Sequence, residues 1–215
     1  MNGLTIAVPR GALFAETLDA LAAIGVDVDP VRANDRRLLF EESGIVTMRP
    51  SDVPTYVEAG AADVGITGKD VLREQSEREV YELLDLGYGR CTMVLATVAG
   101  EPGGRDPVAE ALRRAGVVRV ATKYPRTASA YFERTGRQAE IVEVKGSVEL
   151  APLTGLGEAI VDLTQTGTTL RENGLVVREE LFVSTARLIA NPVAHKLKAG
   201  AIDEVLERLR ARRAA

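Results

Sequence analysis

Residues 159–176, AIVDLTQTGTTLRENGLV, run an apolar stretch straight into a cup of hydroxyls and glycine. Ala159 to Leu163 are apolar except for Asp162, as in a buried strand. Thr164, Gln165, Thr166, Gly167, Thr168 and Thr169 then read as a turn into a helix, closed by Asn173-Gly174. Such a turn gathers unpaired backbone N–H groups where the helix dipole favours negative charge. Gly167 lets a ligand approach the backbone with no Cβ in the way, and the hydroxyls of Thr166, Thr168 and Thr169 can donate to phosphate oxygens. Asp162 would repel a phosphate but suits a group rich in donors, such as ribose hydroxyls. Together they suggest a phosphorylated pentose. The alternative is a turn that spends its threonine hydroxyls on capping its own helix. The stretch is neither a Gly-Lys-Ser/Thr loop nor a G-x-G-x-x-G dinucleotide turn.

The chain on either side alternates in the same way, which predicts an α/β protein with largely parallel sheets. LTIAVP (4–9) reads as the first strand, followed by Leu13, Thr17, Leu18, Leu21 and Ile24 at helical spacing until Gly25. Residues 37–50 read as a hairpin turning at Ser43-Gly44. A helix capped by Ser51 and running to Gly60 comes next, then a buried strand at 62–68 and a helix opened by Lys69-Asp70. A β region at 80–98 is broken at Gly87 and Gly89, and the turn-rich GEPGGRDP (100–107) reads as a loop early in a second domain. Beyond it, helices at about 107–115 and 125–135 alternate with strands at 117–122 and 139–144. Residues 175–190 are long enough to leave the second domain and re-enter the first. The last helix carries Ile202, Val205, Leu206 and Leu209 on one stripe. The expected architecture is two α/β lobes joined by two crossings with a cleft between them, residues 1–92 plus 179–215 forming the first lobe and 93–178 the second.

Composition narrows the function. The 215 residues are 46% hydrophobic and 27% charged, those of an ordinary globular protein, with a net charge of −4 and scattered basic residues. That argues against a nucleic-acid surface, though not against a local anion site. No window approaches the ~20 apolar residues of a membrane span, and the N-terminus lacks a secretory leader, so the expected location is cytoplasmic. A single cysteine, Cys91, excludes an internal disulfide, and a single histidine, His195, excludes a multi-histidine metal site. Cys91 reads as a packed strand residue and His195 as a helix-surface residue.

VDLTQTGTTLRENGL closely resembles the phosphoribosyl-diphosphate loop of the ATP phosphoribosyltransferase family. RPSDVPTYVEAGAADVGITGKDVL (49–72), DLGYGRC (85–91), ATKYP (121–125) and GSVELAPLTGLGEAIVDL (146–163) resemble further signatures of that family, in the same order. The resemblance implies a type II periplasmic-binding-protein-like fold, which agrees with the two lobes inferred above. It also implies the reaction: N1 of the ATP adenine displaces pyrophosphate from phosphoribosyl diphosphate to give phosphoribosyl-ATP, the first step of histidine biosynthesis. The chain resembles the family's short form, which implies a histidyl-tRNA-synthetase-like regulatory subunit, a hetero-octameric assembly and a homodimer of catalytic chains.

Adenine N1 already has a free lone pair, so the implied barrier is one of charge rather than of proton removal. Positioning and electrostatic stabilisation should dominate, with Mg²⁺ held mainly by the substrate diphosphate and not by protein ligands. On this sequence the resemblance assigns Thr164, Thr166, Gly167, Thr168 and Thr169 to the phosphate cup and Asp162 to the ribose hydroxyls. It makes Arg49 and Arg10 the catalytic cations, and places Gly11, Lys69, Tyr88, Arg90 and Glu149 around ATP or the diphosphate. Tyr88 can stack on adenine or cover the surface between lobes. Lys123 also lies in a matched motif. Many family members read Lys-Gly-Arg where this chain has Arg10-Gly11-Ala12, so one cation is missing there, and Arg36 or Arg37 is a candidate to replace it. Two alternatives are a solute receptor of the same fold and a transferase acting on another base.

Overall fold

The computed structural model describes residues 3–34, 36–100 and 106–214. The chain divides into two units, residues 1–90 with 185–215, and residues 91–184. In the first, β1 (Ile6–Pro9) leads through a 3-10 turn (Gly11–Leu13) into α1 (Phe14–Ala23) and α2 (Asp29–Ala33). The hairpin of β2 (Leu39–Phe40) and β3 (Ile45–Met48) precedes α3 (Val53–Glu58), β4 (Val64–Gly68), α4 (Lys69–Glu74) and β5 (Tyr81–Asp85). The second unit runs β6 (Cys91–Val98), α5 (Pro107–Ala115), β7 (Val118–Thr122), α6 (Pro125–Arg134) and β8 (Ala139–Glu143). It continues with α7 (Leu150–Thr154), β9 (Ala159–Thr164), α8 (Thr168–Glu172) and β10 (Leu175–Ser184). β11 (Ala186–Ala190), α9 (Pro192–Leu197) and α10 (Ala199–Ala214) complete the first unit. Among the described residues, no helix is long and apolar enough to cross a membrane.

Strand direction decides what each sheet presents. The first sheet has the order β2-β3-β1-β4-β11-β5. β3, β1 and β4 are adjacent and parallel, so the residues that follow them, Arg49, Arg10 and Lys69, emerge in a row at one edge. The second sheet has the order β10-β6-β9-β7-β8. There β9, β7 and β8 are parallel while β6 runs against β9, so the end of β9 and Lys123 after β7 share an edge.

Two core layers flank each sheet. In the first unit, Val8, Leu18, Leu21 and Ile66 pack with Ile202, Val205, Leu206 and Leu209 of α10 on one face. Ala7, Val53, Val57 and Ile189 pack on the other. In the second unit, Leu95, Val120, Phe132 and Val161 form one layer beneath α5 and α6, and Ala96, Ala151, Ile160 and Leu170 form the opposite layer beneath α7 and α8. α5 is held at both ends: Asp106 Oδ1 accepts from the Val108 amide (2.7 Å) and Gly116 closes it in the left-handed conformation.

The structure departs from the sequence reading at Ser51 and at both crossings between the units, the outgoing one falling at Arg90–Cys91 rather than 92/93. Ser51 does not cap α3; Asp52 precedes the helix, and the Ser51 hydroxyl turns to Asp52 Oδ1 while its carbonyl accepts from Gln75. The return crossing falls at Ser184–Thr185 rather than 178/179, because β10 stays paired with β6 as far as Ser184 against Cys91. Two register shifts in that pairing, between Val177 and Glu179 and between Glu180 and Phe182, disturb the alternation that would mark a continuing strand. The loop expected at 100–107 falls mainly on 101–105, outside the described residues.

α3 approaches β4 closely because Gly65 offers no side chain: a Cβ there would lie 2.6 Å from Val53 Cγ1 and 2.8 Å from Val57 Cγ2. Both valines are stiff, buried groups. Gly65→Ala is expected to cost about 1–3 kcal/mol, the range for overpacking. Denaturant unfolding should show a lower midpoint, and an unchanged midpoint would mean that α3 moves aside freely.

Candidate functional site

The cup is formed where β9 ends at Thr164 and α8 starts at Thr168. Between them Gly167 has a φ of 71°, a conformation only glycine takes without strain. Its amide donates to Thr164 Oγ1 (2.9 Å). The Thr166 and Thr168 hydroxyls are 2.9 Å apart, and Thr166 Oγ1 also accepts a long 3.4 Å bond from the Thr168 amide. The threonines therefore do brace their own turn, as one reading of the sequence allows. Thr166, Thr168 and Thr169 nevertheless stay exposed, and the Thr169 hydroxyl has no partner among the described residues.

Arg171 belongs to this cup and the sequence reading missed it. Nη1 donates to the Thr166 carbonyl oxygen (2.9 Å) and Nη2 to Thr168 Oγ1 (3.0 Å). A Cβ on Gly167 would lie 2.9 Å from Nη1. The signal was present as an arginine four residues after the glycine: helical side chains lean toward the N-terminus, which returns a long one to the turn.

Asp162 alternates with Val161 and Leu163, so it shares the face of Ile160, the one covered by α7 and α8. It is only 8% exposed. Oδ1 accepts from the Leu163 amide (2.9 Å), and Oδ2 lies 3.6 Å from Lys123 Nζ. Burial pushes the carboxyl above its ordinary range, against the pull of Lys123 and of the Leu163 amide, while Glu149 pushes it the same way as burial. Glu149, just before α7, is thus within electrostatic reach of Asp162.

In the first unit the three strand-end cations differ in what already holds them. Arg10 is engaged: Nε donates to Thr47 Oγ1 (3.0 Å), Nη2 to the Arg37 carbonyl (2.8 Å), and the guanidinium lies over the Phe14 ring. Arg37 turns away to the Leu39 carbonyl. Lys69 is paired with Glu82 Oε2 (2.5 Å), and Arg187 with Oε1 of the same carboxylate (3.2 Å). Arg49 is exposed, and its guanidinium has no partner among the described residues. The same holds for Arg90.

Gly11 has a φ of 82° and open space where a Cβ would be. The Tyr88 ring packs against the first unit's core and its hydroxyl lies 2.9 Å from that of Thr17; burial pushes the phenol up to about 12. Nearby, Asp85 Oδ1 accepts from the Gly87 amide (2.9 Å) and the Thr185 hydroxyl (2.8 Å), and Arg187 pairs with Oδ2 (3.1 Å). These bonds tie the chain where it leaves the first unit to the chain where it returns. Cys91 Sγ lies 3.9 Å from the Ser184 carbonyl oxygen. His195, in α9, lies edge-on to the Tyr81 ring. Among the described residues, no group of three or more His, Cys, Asp or Glu is gathered to hold a metal ion.

The family model for ATP phosphoribosyltransferase matches residues 49–211, a span that takes in the cup, Asp162, Arg49 and Lys69 but not Arg10 and Gly11. An ATP phosphoribosyltransferase from Rubrobacter xylanophilus is 57% identical over 209 residues, covering 96% of this chain and 94% of that protein. The solved ATP phosphoribosyl transferase (HisG:HisZ) complex from Thermotoga maritima aligns with a TM-score of 0.77 at 34% identity, covering 98% of both chains. The VFT2 domain of BvgS from Bordetella pertussis aligns with a TM-score of 0.60 over 98% of this chain and 91% of that one, at 15% identity, a likeness of fold alone. The fold is thus the two-lobed type II one of periplasmic binding proteins, and these relatives match the chain almost end to end. The chain belongs to the ATP phosphoribosyltransferase family, the phosphoribosyltransferases that catalyse the first step of histidine biosynthesis.

Proposed function

We propose that the Thr164–Thr169 cup holds the 5-phosphate of phosphoribosyl diphosphate while Asp162 accepts from its ribose hydroxyls. One observation carries this reading: at the carboxyl end of β9, the exposed hydroxyls of Thr166, Thr168 and Thr169 and a left-handed glycine at 167 follow within seven residues of the buried carboxylate of Asp162. Adenine N1 of ATP then forms its bond to C1 as the C1–oxygen bond to pyrophosphate breaks. Positive charge grows on the sugar while negative charge leaves with the diphosphate, so cations placed in advance are the catalytic requirement. Arg49 is the first candidate because nothing among the described residues holds its guanidinium. Arg10 is held in place by Thr47 and the Arg37 carbonyl, which suits a preorganised contact. Lys69 would have to release Glu82 to reach a ligand. Gly11, Arg90 and Glu149 border ATP or the diphosphate in this reading, and the packing of Tyr88 favours a bracing role over stacking on adenine.

The family's reaction needs a divalent metal. In our reading it is Mg²⁺, carried mainly on the substrate diphosphate, whose charge it partly neutralises. The relative from Thermotoga maritima was solved as a HisG:HisZ complex, which supports a hetero-oligomer of this chain with a histidyl-tRNA-synthetase-like regulatory subunit. A dimer of catalytic chains within a hetero-octamer is the assembly we infer, working in the cytoplasm.

The arginine assignment is tested by mixing the chain, with and without that subunit, with ATP, phosphoribosyl diphosphate and Mg²⁺, and following the adenine absorbance as N1 is alkylated. Arg49→Ala should lower turnover about 100- to 1000-fold, the scale of a lost transition-state contact. Its stability should change by less than about 0.5 kcal/mol because the residue is exposed. Full activity would remove Arg49 from the site.

Asp162 carries a second test, in opposite directions. A carboxyl raised by burial favours the folded state below the ordinary carboxyl range; that advantage is lost as pH rises through the folded value and stays lost at neutral pH. Asp162→Asn keeps an oxygen for the Leu163 amide and removes the buried charge. It should raise the thermal midpoint at pH 7 by a few degrees, with the gain closing in acid, and lower turnover sharply. A lower midpoint with turnover retained would reverse the assignment.

A further inference from the structure

We infer that Arg171 is a positioning residue for the 5-phosphate, acting through the hydroxyl of Thr168. The inference rests on the reading that the cup holds that phosphate, and it concerns a side chain outside the cup's own 164–169 segment. Three observations carry it. The guanidinium folds back from α8 to bridge the two rims of the cup, the Thr166 carbonyl at 2.9 Å and Thr168 Oγ1 at 3.0 Å. It does so across Gly167, where a Cβ would lie 2.9 Å from Nη1, so a side chain there would displace the guanidinium from its bridge. The hydroxyls of Thr166 and Thr168 are themselves 2.9 Å apart, and the Thr168 amide points at the first of them.

Donor and acceptor chemistry then sets the direction of this chain. A guanidinium has no acceptor, so Thr168 Oγ1 must accept from it. The proton of Thr168 is left to be donated onward, either to Thr166 Oγ1 or directly to a ligand. In the first case Thr166 Oγ1 accepts and its own proton is the free one. Either way the chain that starts at a cation ends in a donor, and a cation at its head strengthens each bond beyond it. A turn of threonines with no such cation could equally present lone pairs, which an anion would find repulsive. Arg171 therefore fixes the cup in the anion-accepting orientation and adds a positive charge behind it, without the guanidinium having to leave its place. Lysine at this position would supply charge but not the two-pronged bridge.

The test is a double-mutant cycle read by substrate affinity on the whole chain, with its regulatory subunit present if the chain needs it for activity. Arg171→Met should raise KM for phosphoribosyl diphosphate, and Kd for ribose 5-phosphate, about tenfold, the scale of a charge-assisted hydrogen bond. KM for ATP and the thermal midpoint should stay where they are. Arg171→Lys should recover part of the loss. Because the effect passes through the Thr168 hydroxyl, Arg171→Met should cost far less in a Thr168→Val background than in the native chain. If Thr168→Val weakens ribose 5-phosphate binding while Arg171→Met leaves it unchanged, the cup stands and the positioning role is overturned. Losses that simply add would overturn the route through Thr168. If neither substitution alters binding, the cup assignment itself falls, and this inference with it.

Discussion

A parallel sheet delivers the loop after every strand to the same edge, and the functional layout of this chain follows from that constraint. In the first unit it sets Arg49, Arg10 and Lys69 side by side, though they lie far apart in sequence. In the second it brings the threonine cup after β9 beside Lys123 after β7. The antiparallel strands obey the same rule from the other end: β6 begins, and β10 ends, at the edge where β9 stops. Both crossings therefore enter the second unit at the edge that carries its cup, and Asp85 ties them on the first unit's side through Gly87 and Thr185.

Much of this is legible in the sequence because local patterns carry it. The run from Ala159 to Thr164 is a strand for the reason that its residues suggest, and Gly167 is where a turn needs a left-handed residue. The bounds of α5 are written in Asp106, Pro107 and Gly116, a cap, a first-turn proline and a stop. What resists reading is set by partners distant in sequence. Glu82 captures Lys69 across thirteen positions, and Thr47 holds Arg10 across thirty-seven. The end of β10 is hidden by two bulges that only the pairing with β6 reveals. Arg171 is the instructive omission, since its role depends on a rotamer that returns it to the turn, and a search for hydroxyls and glycines passes over the cation that orients them.

The electrostatic arrangement of the second unit does not look like one selected for stability. Asp162 is buried at the foot of the cup with Lys123 at 3.6 Å and Glu149 raising its proton affinity. A buried carboxylate so weakly compensated opposes folding at neutral pH, and packing beneath α7 and α8 by Ile160, Ala151 and Leu170 offsets it. Elsewhere in the same unit, Arg137 bonds both oxygens of Glu179, and Glu158 Oε1 accepts from both Nε and Nη2 of Arg119. By contrast, the ion pair of Asp162 with Lys123 is long, at 3.6 Å, which suits the ribose-binding role proposed for it.

The claim on which the account turns is that the cup at the end of β9 takes the sugar's 5-phosphate. The most direct measurement is backbone amide chemical-shift mapping of the chain as phosphoribosyl diphosphate and Mg²⁺ are added without ATP. Gly167, Thr168 and Thr169 should move most, and ribose 5-phosphate should reproduce their shifts while ribose does not. Saturation with these amides unmoved, and the changes confined to other strand ends, would contradict that claim.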